Sequence, residues 1–139
     1  MWRAAKLFDD DRRRLLRESD ADPATLDLLS TLRRSGPPYR LTTRELADSA
    51  LVTAGAISQR VARAERQGLV ARHPHTDGTR RVDVELTECG HSTVEHLVDA
   101  VLGRETDLLG GLTEQEQRQL RHLLRRLLDE LHSSLDRLT

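Results

Sequence analysis

Two kinds of hydrophobic spacing alternate along this chain of 139 residues. Apolar residues three and four positions apart predict helices over residues 2–18, over 23–34 and again over about 89–109. Before the third of these helices, residues 82–86 alternate between apolar and acidic side chains, which predicts a strand with one buried face. The pattern therefore predicts a mainly helical chain with a small β element.

Two short helices are predicted in the middle of the chain. Thr42 followed by Glu45 is a capping box, and it predicts a helix over Thr43–Ala50. Residues 51–52 form a turn, and Thr53 caps a second helix that runs to Gln67. The two helices and the tight turn between them predict a helix-turn-helix.

A β-wing is predicted directly after these helices. Gly68 is a left-handed C-cap of the second helix, and residues 69–72 form a first strand. A loop over residues 74–79 leads to the alternating strand 82–86. The predicted fold class is therefore mainly α with a small β-wing, a winged helix-turn-helix flanked by N- and C-terminal dimerisation helices.

The predicted C-terminal helix, Glu114–Leu138, carries a stripe of leucines. It begins with a second capping box, Thr113 with Glu116, after the break at Gly110 and Gly111. The leucines recur at spacings of four, three, four, four and three, which is typical of a coiled coil. An ordinary core-facing helix is the alternative, but the small wing and short helices offer little surface for so wide an apolar face. We expect a homodimer seam, formed by Leu120, Leu124, Leu127, Leu131, Leu135 and Leu138.

Composition supports a partner subunit. Hydrophobic residues make up 37% of the chain but aromatic residues only 2%, so leucine, valine, alanine and isoleucine must build the core. A thin core in a short chain often needs a second subunit to complete its burial. The single cysteine excludes an intrachain disulfide. With neither a signal peptide nor an apolar run of spanning length, we expect a cytoplasmic protein without a membrane partner.

The charge distribution favours nucleic acid as a partner. The whole chain has a formal net charge of −1. Residues 53–82, however, carry six arginines and two acids, a net charge of +4, whereas residues 1–52 sum to +1 and residues 83–139 to −6. A local basic face on a near-neutral protein is typical of a DNA-binding regulator.

The second short helix has the side chains needed to enter the major groove of a duplex. Its first turn is slim because residues 54–56 are Ala, Gly and Ala. Ser58 and Gln59 are placed to reach base edges, and glutamine suits adenine. Arg60 and Arg63 lie one turn apart and are placed to meet bases or phosphates.

The wing is predicted to contact the minor groove. Asp77 and Arg80 are expected to pair and stiffen the loop, and Arg80, Arg81 or both are expected to enter the groove. The predicted DNA-contacting residues are Thr53, Ala54, Gly55, Ala56, Ser58, Gln59, Arg60, Arg63, Thr79, Arg80 and Arg81.

These segments resemble the MarR family of bacterial transcription regulators. The resemblance rests on residues 41–47, 53–63, 68–72, 77–80 and 86–90. It implies a homodimer with interlocking terminal helices, whose two reading heads bind double-stranded DNA at a pseudo-palindrome. Such proteins usually repress genes and release DNA when a small anion binds or a residue is oxidised. The chain is then one MarR-like domain over 1–139, with dimerisation helices at 1–20 and 89–139 around a DNA-binding lobe at 22–88.

Within that family, residues 35–42 and 53–60 are similar to the urate-responsive, PecS-like branch. The resemblance implies an effector site at Asp27, Arg60 and Arg72 for urate or a small aromatic anion. Two arginines can hold an oxyanion, and a nearby aspartate would be repelled and shift its helix. The branch also carries a tryptophan on an extra N-terminal helix. This sequence lacks that helix, and Trp2 lies too close to the main fold to be the counterpart of that tryptophan.

Other functions remain open at this stage. One is a winged-helix module for protein–protein contact, and another is a DNA-binding regulator without a small-anion effector. The latter would respond to metal through histidines such as His73 and His75, or to oxidants through Cys89. Because no nucleophile, phosphate-loop or paired-carboxylate motif stands out, we expect neither an enzyme nor a bound cofactor.

Overall fold

The computed structural model describes residues 1–137, which form two compact units. The first unit is Met1–Leu102 and the second begins at Gly103. The fold class predicted from the sequence, mainly helical with a small β-wing, is confirmed. The elements are α1 (Trp2–Glu18), α2 (Pro23–Arg34), β1 (Arg40–Thr42), α3 (Thr43–Ala50), α4 (Ala54–Arg66), β2 (Val70–Pro74), β3 (Val82–Leu86), α5 (Glu88–Leu108) and α6 (Glu114–Asp136).

Local capping explains where the helices of the first unit begin and end. Asp22 accepts a hydrogen bond from the Thr25 N–H at 2.7 Å and so starts α2, with proline at its first position. Thr42 and Glu45 form the predicted capping box of α3. Gly68 has a φ of +75°, so the predicted left-handed residue after α4 is confirmed.

The sheet has three antiparallel strands in the order β1–β3–β2. The central strand β3 pairs Val84 with Leu41 on one side and with Arg72 on the other. The sequence did not predict β1, because three residues are too few to show alternation. The strand β2 also continues to Pro74, where a loop was expected, and proline is acceptable there at the end of an outer strand.

The core of the first unit lies between the helices and one face of the sheet. The helices α2, α3 and α4 bury leucine, isoleucine, valine and alanine against Val84, Leu86 and Val94. Gly90 permits a close approach, since a Cβ at this position would lie 2.0 Å from the Leu69 carbonyl oxygen. A smaller cluster joins Leu16 to Leu97 and Val101.

The second unit has a different character. Thr113 and Glu116 form the predicted capping box of α6, and Gln117 Nε2 donates to the carbonyls of Leu109 and Leu112. No side chain of α6 is buried. Of the predicted stripe, Leu120 and Leu127 are half-buried and Leu138 lies outside the described residues. The exposed leucines of α6 are Leu123, Leu124, Leu128, Leu131 and Leu135. Every helix in residues 1–137 is too short or too polar to cross a lipid bilayer.

Candidate nucleic-acid interface

The turn between α3 and α4 is held by backbone hydrogen bonds. Leu51 adopts a left-handed conformation with a φ of +54°, and the Val52 N–H donates to the Ala47 carbonyl at 3.2 Å. Thr53 then caps α4, since its hydroxyl accepts from the Ala56 N–H at 3.1 Å. The turn therefore fixes the direction in which α4 leaves α3.

The helix α4 has a buried face and an exposed polar face. Ile57, Val61 and Ala64 are buried in the core. On the other side, Ser58 and Gln59 are exposed, as the reading of base edges requires. Thr53, Ala54 and Gly55 are exposed as well, whereas Ala56 and Arg60 are half-buried.

Gly55 is not required by packing within the chain. A Cβ at Gly55 would meet only the Thr53 hydroxyl, at 4.0 Å. Glycine inside a helix costs about 1 kcal/mol relative to alanine, so this position carries a cost that internal contacts do not explain.

Arg63 is engaged within the chain. Its guanidinium donates to Asp22 Oδ2 at 2.8 Å and so ties α4 to the start of α2. Partial burial acts to raise the pKa of Asp22, but hydrogen bonds from Thr25 and the charge of Arg63 outweigh it and lower that pKa. The Arg63 side chain keeps 55% of its surface exposed, so the ion pair leaves it in reach of a partner.

The tip of the wing is ordered by a local turn. Asp77 accepts from the Thr79 N–H at 3.0 Å and from its hydroxyl at 2.6 Å, and these hydrogen bonds lower the pKa of Asp77. The predicted Asp77–Arg80 pair is wrong, because the two hydrogen bonds from Thr79 in this Asx-turn already occupy the Asp77 carboxylate. Arg80 and Arg81 are exposed.

The three predicted effector residues are not gathered in one cleft. Arg72 pairs with Glu65 at 2.8 Å, and this hydrogen bond lowers the pKa of Glu65. Arg72 also lines a cleft of about 560 Å³ between α3, α4 and the sheet, whose lining includes neither Asp27 nor Arg60. Asp27 is exposed on α2, where its carbonyl accepts from the Thr31 hydroxyl.

Histidines and carboxylates meet on the outer face of the sheet. His73 Nε2 lies 2.9 Å from Glu85, which also accepts from Arg40 at 2.7 Å. His75 Nε2 lies 2.9 Å from Asp83 Oδ1 without a hydrogen bond between them. Arg40 and then His73 lower the pKa of Glu85. Within residues 1–137, no group of three or more His, Cys, Asp or Glu is arranged to hold a metal ion.

The sequence reasoning missed Arg44. This residue lines the cleft beside α4 and also a second cleft beside the wing, formed with Arg80 and Arg81. Nothing in its local sequence distinguished it from the many other arginines of the chain. Its position becomes informative only when the wing folds back toward α3.

Comparison with known proteins agrees with this geometry. A profile of the MarR family matches residues 19–81. The transcriptional regulator PecS of Dickeya dadantii (strain 3937) is 31% identical over 73% of this chain, which spans 61% of PecS. An uncharacterised HTH-type transcriptional regulator of Bacillus cereus (strain ATCC 10987) is 30% identical over 78% of this chain and 71% of its own length.

Solved structures of a mutant MarR from E. coli share the fold. One has a TM-score of 0.78 and 26% identity, covering 89% of this chain and 90% of that chain. Another, complexed with operator DNA, has a TM-score of 0.72 and 27% identity and covers 91% of each chain. Relatives and fold are those of transcription regulators, which confirms that the chain is not an enzyme. The chain belongs to the MarR family of winged helix-turn-helix regulators.

Proposed function

We propose that this chain is a homodimeric, sequence-specific DNA-binding transcription regulator. We further propose that it represses its target and is released by a small anionic ligand. The observation that carries the proposal is the outer surface of α4. Its slim first turn and exposed Ser58 and Gln59 lie on a helix whose other face is fixed in the core. A wing with two exposed arginines follows the same helix.

The similar structure of MarR bound to operator DNA supports this use of the fold. In our proposal Ser58, Gln59, Arg60 and Arg63 read the major groove, and Arg80 and Arg81 enter the minor groove. Arg63 would have to exchange or share its contact with Asp22 on binding. The residues of the first turn, Thr53 to Ala56, and Thr79 of the wing would contact the sugar-phosphate backbone or permit its close approach.

The homodimer is supported by unburied apolar surface in both units. In α6, five exposed leucines lie on a helix with no buried side chain. In α1, Trp2 and Leu7 keep 84% and 70% of their surface exposed. Exposed leucine rows of this kind are typical of helices that pack against a second subunit.

The effector part of the proposal needs a rearrangement. Arg72 lies in a cleft of suitable size for a small aromatic anion, but Glu65 holds its guanidinium. An anion would compete with Glu65 for Arg72, and Asp27 and Arg60 would have to move toward it. A site that forms only in the DNA-released state would bind the anion more tightly than the DNA-bound state does. An effector needs this difference in affinity between the two states.

The test is selection of genomic DNA fragments by the protein, with and without urate and simple aromatic carboxylates. We expect enrichment of one pseudo-palindrome and loss of that enrichment with the anion. Enrichment without release would leave the DNA-binding function intact and reject these anions, leaving metal, oxidant or no effector as the alternatives. If no fragment is enriched even at low salt, the chain is a protein-interaction module instead.

Two variants assign the roles of the helix and the wing on the selected sequence. Gln59→Ala should lose about 1–3 kcal/mol of discrimination at one base pair. Arg81→Ala should weaken binding to all sequences and reduce the salt slope by about one. Equal discrimination by the Gln59→Ala variant, or an unchanged slope for Arg81→Ala, would remove that residue from the interface.

A further inference from the structure

A cleft with three arginines lies between the start of α3 and the wing. Residues 42–45 line one side and residues 80–82 the other, around a volume of about 470 Å³. Arg44, Arg80 and Arg81 supply three positive charges, and Glu45 is the only acid among these lining residues. The cleft is therefore strongly basic in a chain whose net charge is −1.

The single carboxylate among the residues that line this cleft is already engaged. Glu45 accepts from the Thr42 N–H at 2.8 Å and from the Thr42 hydroxyl at 3.1 Å. In the wing, Asp77 accepts from Thr79, and Asp83 lies 2.9 Å from His75 Nε2. Throughout residues 1–137, no carboxylate pairs with the side chains of the three arginines. Like charges that converge without a counter-ion repel one another.

Other arginines of the first unit differ in this respect. Each of three has a carboxylate partner on another element, at a separation between guanidinium nitrogen and carboxylate oxygen of 2.7 or 2.8 Å. The fold thus provides counter-ions where arginines support its own elements. These pairs are Arg40–Glu85, Arg63–Asp22 and Arg72–Glu65.

Arg44 also connects the two surfaces that are proposed to meet DNA. It lines the basic cleft together with the wing, and it lines the neighbouring cleft together with Ala54 and Ser58 of α4. When a helix occupies the major groove and a wing the adjacent minor groove, one strand of the sugar-phosphate backbone must pass between them. Arg44 lies between α4 and the wing, where that strand of the backbone would pass.

We propose that Arg44 binds a phosphate group in the cleft that it lines with Arg80 and Arg81. A guanidinium is planar and donates two parallel hydrogen bonds, which matches the geometry of phosphate oxygens. The inference rests on the proposed DNA-binding function for one source of that phosphate, the backbone of the bound duplex. A free phosphate-bearing molecule is the other source with the same chemistry.

The first arm of the test measures duplex binding as a function of salt. Arg44→Ala should reduce the salt slope by about one and weaken specific and non-specific duplexes by a similar factor. Arg34→Ala is the matched control, because Arg34 is another exposed arginine of the first unit that lines neither cleft. Its slope should equal that of the unmodified protein.

The second arm locates the phosphate. A series of duplexes, each with one neutral methylphosphonate in place of a backbone phosphate, should reveal one position at which the unmodified protein loses affinity and Arg44→Ala loses none. Such non-additivity marks a direct contact between residue and group. Additive losses at every position would overturn the assignment of a backbone phosphate to Arg44.

The third arm tests free phosphate. Inorganic phosphate should raise the melting temperature of the unmodified protein above that in chloride at equal ionic strength, and Arg44→Ala should lose the increase. A melting effect without any change in DNA salt slope assigns the cleft to a free anion. If the unmodified protein binds DNA but shows neither the change in salt slope with Arg44→Ala nor the melting effect of phosphate, the inference is overturned. Absence of DNA binding by the unmodified protein rejects the proposed function instead, and the melting arm still tests the cleft.

Discussion

The first unit, Met1–Leu102, and the helix α6 use leucine in opposite ways. In the first unit, Leu29, Leu32 and Leu46 are almost completely buried within the same chain. In α6 no side chain is buried, and Leu124 and Leu131 keep 47% and 45% of their surface exposed. The first unit therefore contains its own core, whereas the apolar face of α6 lacks a partner within its own unit. Substitutions in the core of the first unit should reduce the free energy of unfolding, whereas substitutions in the leucine stripe of α6 should weaken the proposed homodimer.

The largest effect is expected for Leu131→Glu in α6. The substitution occurs twice in a two-fold dimer and places a charge in each apolar face, so the dimer should weaken by on the order of 4 kcal/mol, about a thousand-fold in the dissociation constant. Sedimentation over a concentration series measures this constant. The first unit should remain folded, which circular dichroism at high concentration checks.

Ser133→Glu is the control for the charge itself. Ser133 lies two residues further along α6, on the side away from the leucine stripe, and is exposed. We expect it to leave the dissociation constant unchanged within a few-fold. Equal weakening by both variants, or by neither, would mean that the stripe is not the dimer seam.

Gly90→Ala should give the next largest effect, and it acts on the core of the first unit. The added methyl would lie 2.0 Å from the Leu69 carbonyl oxygen and 3.0 Å from a Leu86 methyl, so α5 must shift away from Leu69. The Leu69 carbonyl also accepts from the Thr87 N–H at 3.1 Å, which resists that shift. We expect a loss of about 3 kcal/mol in the free energy of unfolding, measured by urea denaturation.

Gly103→Ala is the matched comparison, since Gly103 is a helical glycine of α5 with open space around it. It should be neutral or stabilising by about 0.5–1 kcal/mol. If Gly90→Ala also proved neutral, the close approach of α5 to Leu69 would not contribute to stability.

The features that were predictable from the sequence are local ones. Capping boxes at Thr42 and Thr113, the left-handed Gly68 and the alternation of β3 depend on residues close together in the chain, and all are found in the structure. The strand β1 was not predictable because only its pairing with β3 defines it. The contact of Arg63 with Asp22 is likewise invisible, since 41 residues separate the two partners.

The candidate nucleic-acid interface likewise has some features that local sequence predicted and others that depend on the whole fold. The exposed face of α4 follows from helical periodicity, so its exposure was predicted correctly. The wing was misread at Asp77, where two contacts to Thr79 compete with the expected contact to Arg80. Arg44 was missed because its proximity to the wing depends on the fold of the whole sheet.

Gly55→Ala tests the exposed face of α4, with a smaller expected effect. Because the added methyl meets only the Thr53 hydroxyl, at 4.0 Å, the free energy of unfolding should rise by about 0.5–1 kcal/mol. DNA affinity should fall in the same variant, since the methyl would lie where α4 approaches the groove. Thermal unfolding and duplex titration measure the two quantities. Gly103→Ala should share the stability gain without the loss of affinity; unchanged affinity in both would separate Gly55 from the interface.

The smallest effect concerns the ion pair between Asp22 and Arg63. The pKa of Asp22 is lower in the folded chain than its ordinary value, because hydrogen bonds from Thr25 and the charge of Arg63 outweigh partial burial. Its stabilising contribution is therefore complete above the unfolded-state pKa of about 3.9 and is lost as the pH falls through the lower folded-state pKa.

Asn in place of Asp22 retains a capping oxygen but removes the titration. The free-energy difference between the unmodified protein and Asp22→Asn should be about 1 kcal/mol or less at pH 7, since solvent screens a pair whose side chains are 33% and 55% exposed. Urea denaturation between about pH 2 and 7 should show that difference shrinking toward the acid end. A difference that stayed constant with pH would mean that the link from α2 to α4 does not depend on the charge of Asp22.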